Sequence, residues 1–277
     1  MGVVFCQCWP MAHQGTPDRP ATRPARLGRP FAAHPLRGRD DGREVAGVVL
    51  LLPRGDEESD RPPSPAASYA SLRALGRRLA RAGERQGLAV HLVHYGRRGW
   101  NGAQASLAGD AARAADEAVR RYGDVPVCLV GVDMGGRAAL RAAGHPAVVS
   151  VVALAPWLPA DGGHGAAAGP EPVKQLASRH VLIVHGTDDT RCAPDLSFRL
   201  AERIKKTNRE VCRFEVHTDG HALRAYRWEV HTLVADFALG TMFGTRMPRA
   251  VRDALAAPPP LGLRMPLASG FGRSRER

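Results

Sequence analysis

Long apolar segments and cysteines are both scarce in this sequence of 277 residues. No apolar run approaches the roughly 18 residues that a membrane-spanning helix needs, which excludes an integral membrane protein. The five cysteines have irregular spacing, which excludes a small disulfide-rich scaffold. The first residues lack the basic and apolar regions of a secretion signal, so we expect a cytoplasmic protein with reduced thiols.

Lysine is nearly absent, because Lys174, Lys205 and Lys206 are the only three among 39 basic residues. The formal net charge of +12 would suit nucleic-acid binding if the charge lay on one folded face. Instead, residues 1–46 carry +3 and residues 246–277 carry +5, which leaves +4 for the chain between them. We therefore expect neither a nucleic-acid partner nor a membrane partner.

Composition divides the chain into three parts. Residues 1–44 are rich in Pro, Arg, Gly and His without hydrophobic periodicity, which indicates a disordered basic tail. Cys6 and Cys8 lie close together in it, but no second ligand pair stands nearby, so no metal site is predicted there. Residues 244–277 include three consecutive prolines and indicate a loose C-terminal tail. The folded domain is predicted over residues 45–243.

Between the tails, short apolar runs alternate with helical segments. The runs cover residues 45–52, 88–93, 125–130, 148–155 and 181–184, and a shorter mixed run covers 211–216. Continuous apolar runs are typical of strands that are buried on both faces of a parallel sheet. The pattern predicts an α/β fold with about six mostly parallel strands flanked by helices. Ligands bind at the carboxyl ends of such strands, so the residues that follow each strand are the candidates for function.

Three of these strand ends carry residues suited to catalysis. Asp133 lies in the segment Gly-Val-Asp-Met-Gly between an apolar strand and a helix, which is the arrangement of a nucleophile elbow. The glycines permit a tight turn that presents the middle side chain above the sheet. Asp189 follows the fifth run and can orient a histidine, with Asp188 as the alternative acid. His221 follows the last run and can act as a general base.

This order of nucleophile, acid and histidine resembles that of the α/β-hydrolase superfamily. The motifs that carry the resemblance are Gly131–Gly135, His185–Asp189 and the pair Gly220-His221. The sequence is most similar to small bacterial hydrolases of the dienelactone-hydrolase or serine-esterase kind, which have a minimal lid. The resemblance implies a hydrolase of a small-molecule substrate without cofactor or metal, with Asp189 as the triad acid and His221 as the base.

The sequence departs from the family pattern in two places. Asp133 stands where the family has a serine nucleophile, and Pro53-Arg54-Gly55 stands where it has His-Gly. The second loop normally supplies one backbone N–H of the oxyanion hole, and the residue after the nucleophile supplies the other. Since proline has no N–H, the resemblance implies that Met134 and either Arg54 or Gly55 provide the two amides.

An aspartate at the elbow changes the expected chemistry. Aspartate is ionised at neutral pH and needs no base to become a nucleophile. Its attack on an ester would give a reactive mixed anhydride, whereas its attack on the sp³ carbon of an epoxide or haloalkane gives an alkyl ester. His221 could then activate water to hydrolyse that ester. The logic is similar to that of Asp-nucleophile epoxide hydrolases and haloalkane dehalogenases, although residues 156–177 lack the tyrosines of their cap.

Two alternatives stay open at the level of sequence. Trp100 and Trp157 each follow a strand, and they either line the substrate pocket or pack against neighbouring elements. Asp133 is a nucleophile or another altered catalytic residue that acts on a small ester, epoxide or haloalkane. Otherwise it marks a catalytically impaired homologue that binds a ligand or a partner. The sequence does not indicate an oligomeric state.

Overall fold

The computed structural model describes residues 24–31, 44–62, 65–160 and 170–272. Within them eight strands form one sheet: β1 Arg26–Pro30, β2 Gly47–Leu52, β3 Leu88–His94, β4 Val127–Val132, β5 Val148–Leu154, β6 His180–Gly186, β7 Val211–Val216 and β8 Met265–Pro266. The α-helices are α1 Pro65–Ala82, α2 Ser106–Tyr122, α3 Met134–Ala142, α4 Pro194–Lys205, α5 Arg227–Phe243 and α6 Arg249–Ala256.

The sheet has the strand order β1-β3-β2-β4-β5-β6-β7-β8. Strand β1 runs antiparallel to β3, and every other neighbouring pair is parallel. The predicted α/β fold is therefore confirmed, and the six predicted strands form the interior of the sheet. Because the parallel strands end at the same edge, the residues that follow β2, β4, β6 and β7 converge there.

Apolar side chains cover both faces of the sheet. Along β2, Val48, Leu50 and Leu52 belong to the core that α2, α3 and α4 close. Val49 and Leu51, which point the other way, belong to the core under α1, α5 and α6. Because each strand contributes side chains to both cores, its sequence is apolar at nearly every position rather than at every second one.

The expectation of a disordered N-terminal tail is wrong for one segment. Strand β1 pairs with the edge of the sheet, with Leu27 opposite Val93 in the ladder. An edge strand needs backbone partners but little apolar surface, so this arginine-rich segment shows no hydrophobic periodicity. Residues 1–23 and 32–43 of the predicted tail, which include Cys6 and Cys8, lie outside the described residues.

The expectation of a loose C-terminal tail over residues 244–277 is wrong as well. Helix α6 buries Val251 and Ala254 completely, and β8 extends the sheet beside β7. Leu263 is fully buried, and its carbonyl oxygen accepts a hydrogen bond of 2.9 Å from the Arg213 guanidinium. Helix α6 has eight residues and β8 has two, so neither is long enough to show a clear period in the sequence. Residues 273–277 lie outside the described residues.

Within the described residues, none of the helices combines the length and the hydropathy that a bilayer-crossing segment requires. The longest described helix, α1, has 18 residues and carries several arginines along its length.

Candidate active site

Asp133 lies at the sharp turn between β4 and α3. Its φ of 56° and ψ of −124° are a conformation that side-chain-bearing residues rarely adopt. A Cβ atom on Gly131 would clash with the carbonyl oxygen of Gly135, and one on Gly135 would clash with that of Leu52. Both positions therefore need glycine, and the structure has the sharp strand-to-helix turn, or elbow, that the sequence predicts at this point.

The Asp133 carboxylate is buried between two cationic side chains. Only 2% of the residue is exposed. Its Oδ2 atom lies 3.6 Å from Nε2 of His221 and 3.5 Å from the guanidinium of Arg191, whose side chain is largely exposed. Both separations are ion-pair contacts slightly longer than a good hydrogen bond. Within the described residues Oδ2 has no hydrogen-bond partner that meets normal geometry, so the two ion-pair contacts are its polar contacts.

Asp189 holds the opposite side of His221. Its Oδ2 atom lies 2.8 Å from Nδ1 of His221. Its Oδ1 atom accepts hydrogen bonds of 2.9 Å from the backbone amides of Arg191 and Cys192. The alternative acid, Asp188, is exposed and accepts a hydrogen bond from the Thr187 hydroxyl. The structure thus brings Asp133, His221 and Asp189 together, and Asp189 is the acid in contact with the histidine.

A second histidine supports the acid. Nε2 of His185 lies 3.1 Å from Oδ2 of Asp189 and 3.0 Å from the carbonyl oxygen of Cys192. Since both neighbours are acceptors, Nε2 carries the proton and donates to them. His185 is 1% exposed. The sequence places His185 at the start of the acid motif but contains no sign of this contact, because it depends on how the loop after β6 folds back.

The pKa of His221 depends on the residues that contact its ring. Burial alone would lower the pKa of His221, but contacts with the Asp133 carboxylate, the Cys192 thiol and the Asp189 carboxylate outweigh burial and raise the pKa to about 10. Burial would raise the pKa of Asp189, but hydrogen bonds from His185, the Cys192 amide and His221 hold it well below its usual range. At neutral pH the site therefore contains a protonated His221 that contacts the ionised Asp189 carboxylate on one side and Asp133 on the other.

The residues predicted to form the oxyanion hole lie near the turn at Asp133. Met134 is the first residue of α3, where backbone amides have no acceptor within the helix. Gly55 lies against it, because a Cβ atom built on Gly55 would be 3.5 Å from Cβ of Met134. Arg54 lines the cavity beside Asp133. Met134 and Gly55 are therefore neighbours, and Arg54 shares a cavity with Asp133.

The two tryptophans do not line this site. The guanidinium of Arg137 lies 4.1 Å from the ring centroid of Trp100 and 5.2 Å from that of Trp157. Arg137 in turn forms a buried ion pair of 2.9 Å with Glu171. Both tryptophans pack in the core on the α3 side of the sheet. Neither tryptophan is among the residues that line the cavity beside Asp133, so of the two alternatives left open by the sequence, these contacts favour packing.

Cys192 is a site residue that the sequence analysis missed. Its thiol, Oδ2 or Oδ1 of Asp133 and a ring nitrogen of His221 all lie within 4.8 Å of one another. These are metal-ligating residue types, but a protonated Nε2 of His221 presents a hydrogen rather than a lone pair to the cluster. The three residues are far apart in the sequence, at 133, 192 and 221, so no ligand spacing is visible there. We interpret the group as an ion pair with an adjoining thiol.

A cavity of about 500 Å³ opens beside Asp133 and His221. It lies on the α1 and α5 side of the sheet, and its apolar walls come from both helices and from the ends of β4 and β5. These apolar residues are Leu72, Leu75, Val132, Leu154, Leu223 and Val230. A small substrate bound there would be in contact with the elbow and shielded from bulk water.

Solved structures with a similar fold include three hydrolases that are well covered by this chain. A monoacylglycerol lipase from Paleococcus ferrophilus is 16% identical with a TM-score of 0.53, covering 78% of this chain and 99% of the lipase. The esterase Pf2001 from Pyrococcus furiosus is 16% identical with a TM-score of 0.52, and the match covers 72% of this chain and 82% of the esterase. Est1E from Butyrivibrio proteoclasticus is 13% identical with a TM-score of 0.53, and the match covers 78% of this chain and 93% of Est1E.

No protein-family model matches the sequence, and no curated protein sequence matches it significantly. At identities this low, similarity between structures establishes a shared architecture and leaves the reaction to be argued from the site. The parallel sheet, the elbow at Asp133 and the neighbouring Asp189 and His221 agree with that architecture. The chain therefore has the α/β-hydrolase fold.

Proposed function

We propose that this protein is a cofactor-independent hydrolase of a small molecule, with Asp133 as nucleophile, His221 as base and Asp189 as the residue that orients His221. The observation that carries the proposal is the buried Asp133 carboxylate at the elbow, 3.6 Å from Nε2 of His221. His221 is held through its other nitrogen by Asp189 at 2.8 Å. The reacting group, its base and the orienting acid thus form one continuous line of contacts.

The raised pKa of His221, to which Asp133 itself contributes, is compatible with an aspartate as the attacking group. A histidine with a pKa of about 10 is protonated at neutral pH, so it cannot first take a proton from a nucleophile. Asp133 does not need that step, because its carboxylate is the nucleophile. In the first half-reaction an oxygen of Asp133 attacks an sp³ carbon of the substrate. The carbon–halogen bond breaks and its electron pair leaves with the halide; in an epoxide the broken carbon–oxygen bond leaves its electron pair on the oxygen, which stays on the substrate as an alkoxide and takes a proton from water.

Formation of the ester prepares His221 for the second half-reaction. The ester at Asp133 is neutral, so the carboxylate that raises the pKa of His221 is lost, and Nε2 releases its proton to solvent. The neutral Nε2 then takes a proton from a water molecule that attacks the carbonyl carbon of the ester. The amides of Met134 and of Arg54 or Gly55 stabilise the resulting oxyanion. As the intermediate collapses, His221 returns the proton to the departing alkoxide, which leaves as an alcohol (a diol from an epoxide), and the carboxylate is restored with one oxygen from water.

The best-supported substrate class is therefore a small epoxide or haloalkane. Two of the structural neighbours described above are named as a monoacylglycerol lipase and an esterase, and ester cleavage at the same cavity is the related reaction. Ester cleavage is less suited to an aspartate nucleophile, because the acyl-enzyme would be a mixed anhydride. Esters therefore belong in the test as a comparison class.

A test follows from the path of the water oxygen. The wild-type protein would be given a panel of small epoxides, haloalkanes and esters, beside Asp133→Ala and Asp133→Ser. With a substrate that turns over, a single turnover in H₂¹⁸O should place ¹⁸O in the peptide that contains Asp133, and Asp133→Ala should be inactive. Turnover with ¹⁸O only in the product would show that water attacks the substrate directly and that Asp133 is not the nucleophile.

A second candidate is a binding protein on the same fold. The observation that favours it is the pairing of Asp133 with both His221 and Arg191, which would stabilise an inert site as well as a reactive one. This candidate predicts an inactive wild type and a gain of esterase activity in Asp133→Ser, because a serine would restore the nucleophile of the family pattern.

A further inference from the structure

The cavity beside Asp133 carries an excess of positive charge. Arg54, Arg224 and Arg227 all line it, and Asp133 is the one acidic residue among the described lining residues. The Asp133 charge is already paired with His221. None of the three arginines forms an ion pair with a carboxylate within the described residues. The cavity therefore offers guanidinium groups to whatever enters it.

Arg54 is the most specific of the three. It follows β2 at the carboxyl edge of the sheet, where the related hydrolases have His-Gly. Its Nε atom is buried and has no hydrogen-bond partner in the described part of the chain. A buried donor without an acceptor costs stability, and such groups call for an explanation in a native structure. An acceptor supplied by a ligand in the cavity would satisfy it.

Arg224 and Arg227 are placed by the loop that also carries His221. The Asp219 carboxylate accepts hydrogen bonds from the backbone amides of Gly220, Arg224, Ala225 and Tyr226, at 2.9 to 3.3 Å. Asp219 is 8% exposed. One buried carboxylate therefore fixes the backbone on both sides of His221, and with it the position from which the two arginines reach the cavity.

The histidine at the far wall responds to this positive charge. Burial, together with Arg78 and Arg227, lowers the pKa of His231 to about 4. His231 also lines the cavity. The charged groups that face it are thus two arginines, one from α1 and one from its own helix α5. At neutral pH His231 is an uncharged lining residue, and the cationic groups of the cavity are the guanidiniums.

We propose that the substrate of this site carries a carboxylate, bound by Arg54 with Arg224 and Arg227, on a short apolar chain that reaches the elbow. Guanidinium groups recognise carboxylates by paired hydrogen bonds, and the leucines and valines of the cavity suit the chain. The inference builds on the proposed function, since it names the substrate class of the same site. The binding of an anion in the cavity can be measured without turnover.

The test compares two ligands that differ in charge and little else. Hexanoate and hexanamide would be titrated into the full-length protein by isothermal titration calorimetry. Hexanoate should bind about tenfold or more tightly, the difference expected for a charge-assisted hydrogen bond. Its affinity should fall by a similar factor in Arg54→Gln and partly recover in Arg54→Lys. Equal binding of the two ligands, or an unchanged affinity in Arg54→Gln, would overturn the proposal.

A control variant and a competing anion complete the experiment. Arg199→Gln changes an exposed arginine of α4 that pairs with Asp195, and it should bind hexanoate as the wild type does. If bromide displaces hexanoate at equal concentration, the arginines bind the halide that leaves in the reaction, and the proposal of a carboxylate site is overturned. Circular dichroism of each variant shows that it is folded.

Turnover separates this inference from the proposed function. The pair 6-bromohexanoate and 6-bromohexanamide adds a bromine to the terminal sp³ carbon of each ligand. Selective binding of hexanoate without turnover of either bromide would support the anion site and contradict Asp133 as nucleophile toward haloalkanes. Equal turnover of both bromides, with no preference for hexanoate, would support the nucleophile and overturn the anion site.

Discussion

His185 and His221 contact the same oxygen atom of Asp189. Nε2 of His185 lies 3.1 Å from Oδ2, and Nδ1 of His221 lies 2.8 Å from it. The other oxygen of Asp189 is occupied by two backbone amides. The carboxylate is thereby held from two sides, and the ring of His221 takes its orientation from a rigid partner.

Replacement of His185 should therefore loosen the acid without touching the substrate. In His185→Phe we expect kcat to fall about tenfold, the cost of one buried hydrogen bond, with little change in KM. His185→Asn, which keeps a donor, should recover part of kcat. The exposed His217 provides the control His217→Gln, which should be neutral. A change in KM alone would show that His185 shapes the cavity rather than the acid.

Replacement of the base should trap the intermediate. His221→Gln leaves Asp133 able to attack, because the carboxylate is the nucleophile, but leaves no base to activate water. With a haloalkane that the wild type turns over, intact mass spectrometry should show the variant heavier by one alkyl group, located at Asp133 by peptide analysis. Asp133→Ala should stay unmodified under the same conditions. An unmodified His221→Gln protein would contradict a covalent mechanism.

The charge on Asp133 should be visible in the titration of His221. Removing that charge in Asp133→Asn should lower the pKa of His221 from about 10 by roughly one to three units, as measured by NMR of the imidazole ring. Asp195→Asn, which changes an exposed acid on α4 that pairs with Arg199, should leave it unchanged. An unshifted His221 in Asp133→Asn would mean that Asp189 alone sets its charge.

The same shift links stability to pH. A histidine whose pKa is raised on folding stabilises the native state fully below its unfolded value of about 6.5, and this contribution is lost as the pH rises through about 10. The wild type should therefore lose more free energy of unfolding between pH 7 and pH 10 than Asp133→Asn does. Denaturant unfolding at the two pH values measures the difference.

Local signals account for the part of the fold and site that could be predicted. The apolar runs from β2 to β7 reflect burial on both faces, and each is long enough to be seen in the sequence. Asp133, Asp189 and His221 could be found because each lies within a few residues of the end of a strand, and these strands end at the same edge of the sheet. The glycines around Asp133 report a backbone conformation that other residues rarely adopt.

The missed features depend on contacts between distant segments. Cys192 reaches His221 only because the loop after β6 folds over the end of β7. Strands β1 and β8 are held by pairing at the two edges of the sheet, which leaves no periodic pattern in short segments. The roles of Trp100 and Trp157 depend on which face of the sheet they pack against, and a position after a strand does not define that.

The ion pair behind the elbow should be important for stability. Arg137 and Glu171 are both about 95% buried, and Arg137 also contacts the ring of Trp100. Glu171→Gln leaves the guanidinium buried without its counter-charge, so we expect a loss of about 3–5 kcal/mol in the free energy of unfolding.

An exposed pair gives the comparison for that loss. Glu117 and Arg120 form an ion pair on the surface of α2, and Glu117→Gln should cost about 1 kcal/mol or less. Urea unfolding of both variants measures the two values. Similar losses at the buried and exposed pairs would mean that burial around Arg137 is much less complete in solution.

The C-terminal segment offers a test of whether it belongs to the domain. Leu263 is fully buried beside β7, whereas Leu261, two residues earlier, is 67% exposed. Leu263→Ala should cost about 2–5 kcal/mol, the range for removing a packed leucine side chain, and Leu261→Ala should change stability by about 0.5 kcal/mol or less. Because the two variants make the same chemical change, a difference between them reports packing alone. Equal, small effects would support the loose tail that the composition of residues 244–277 predicts.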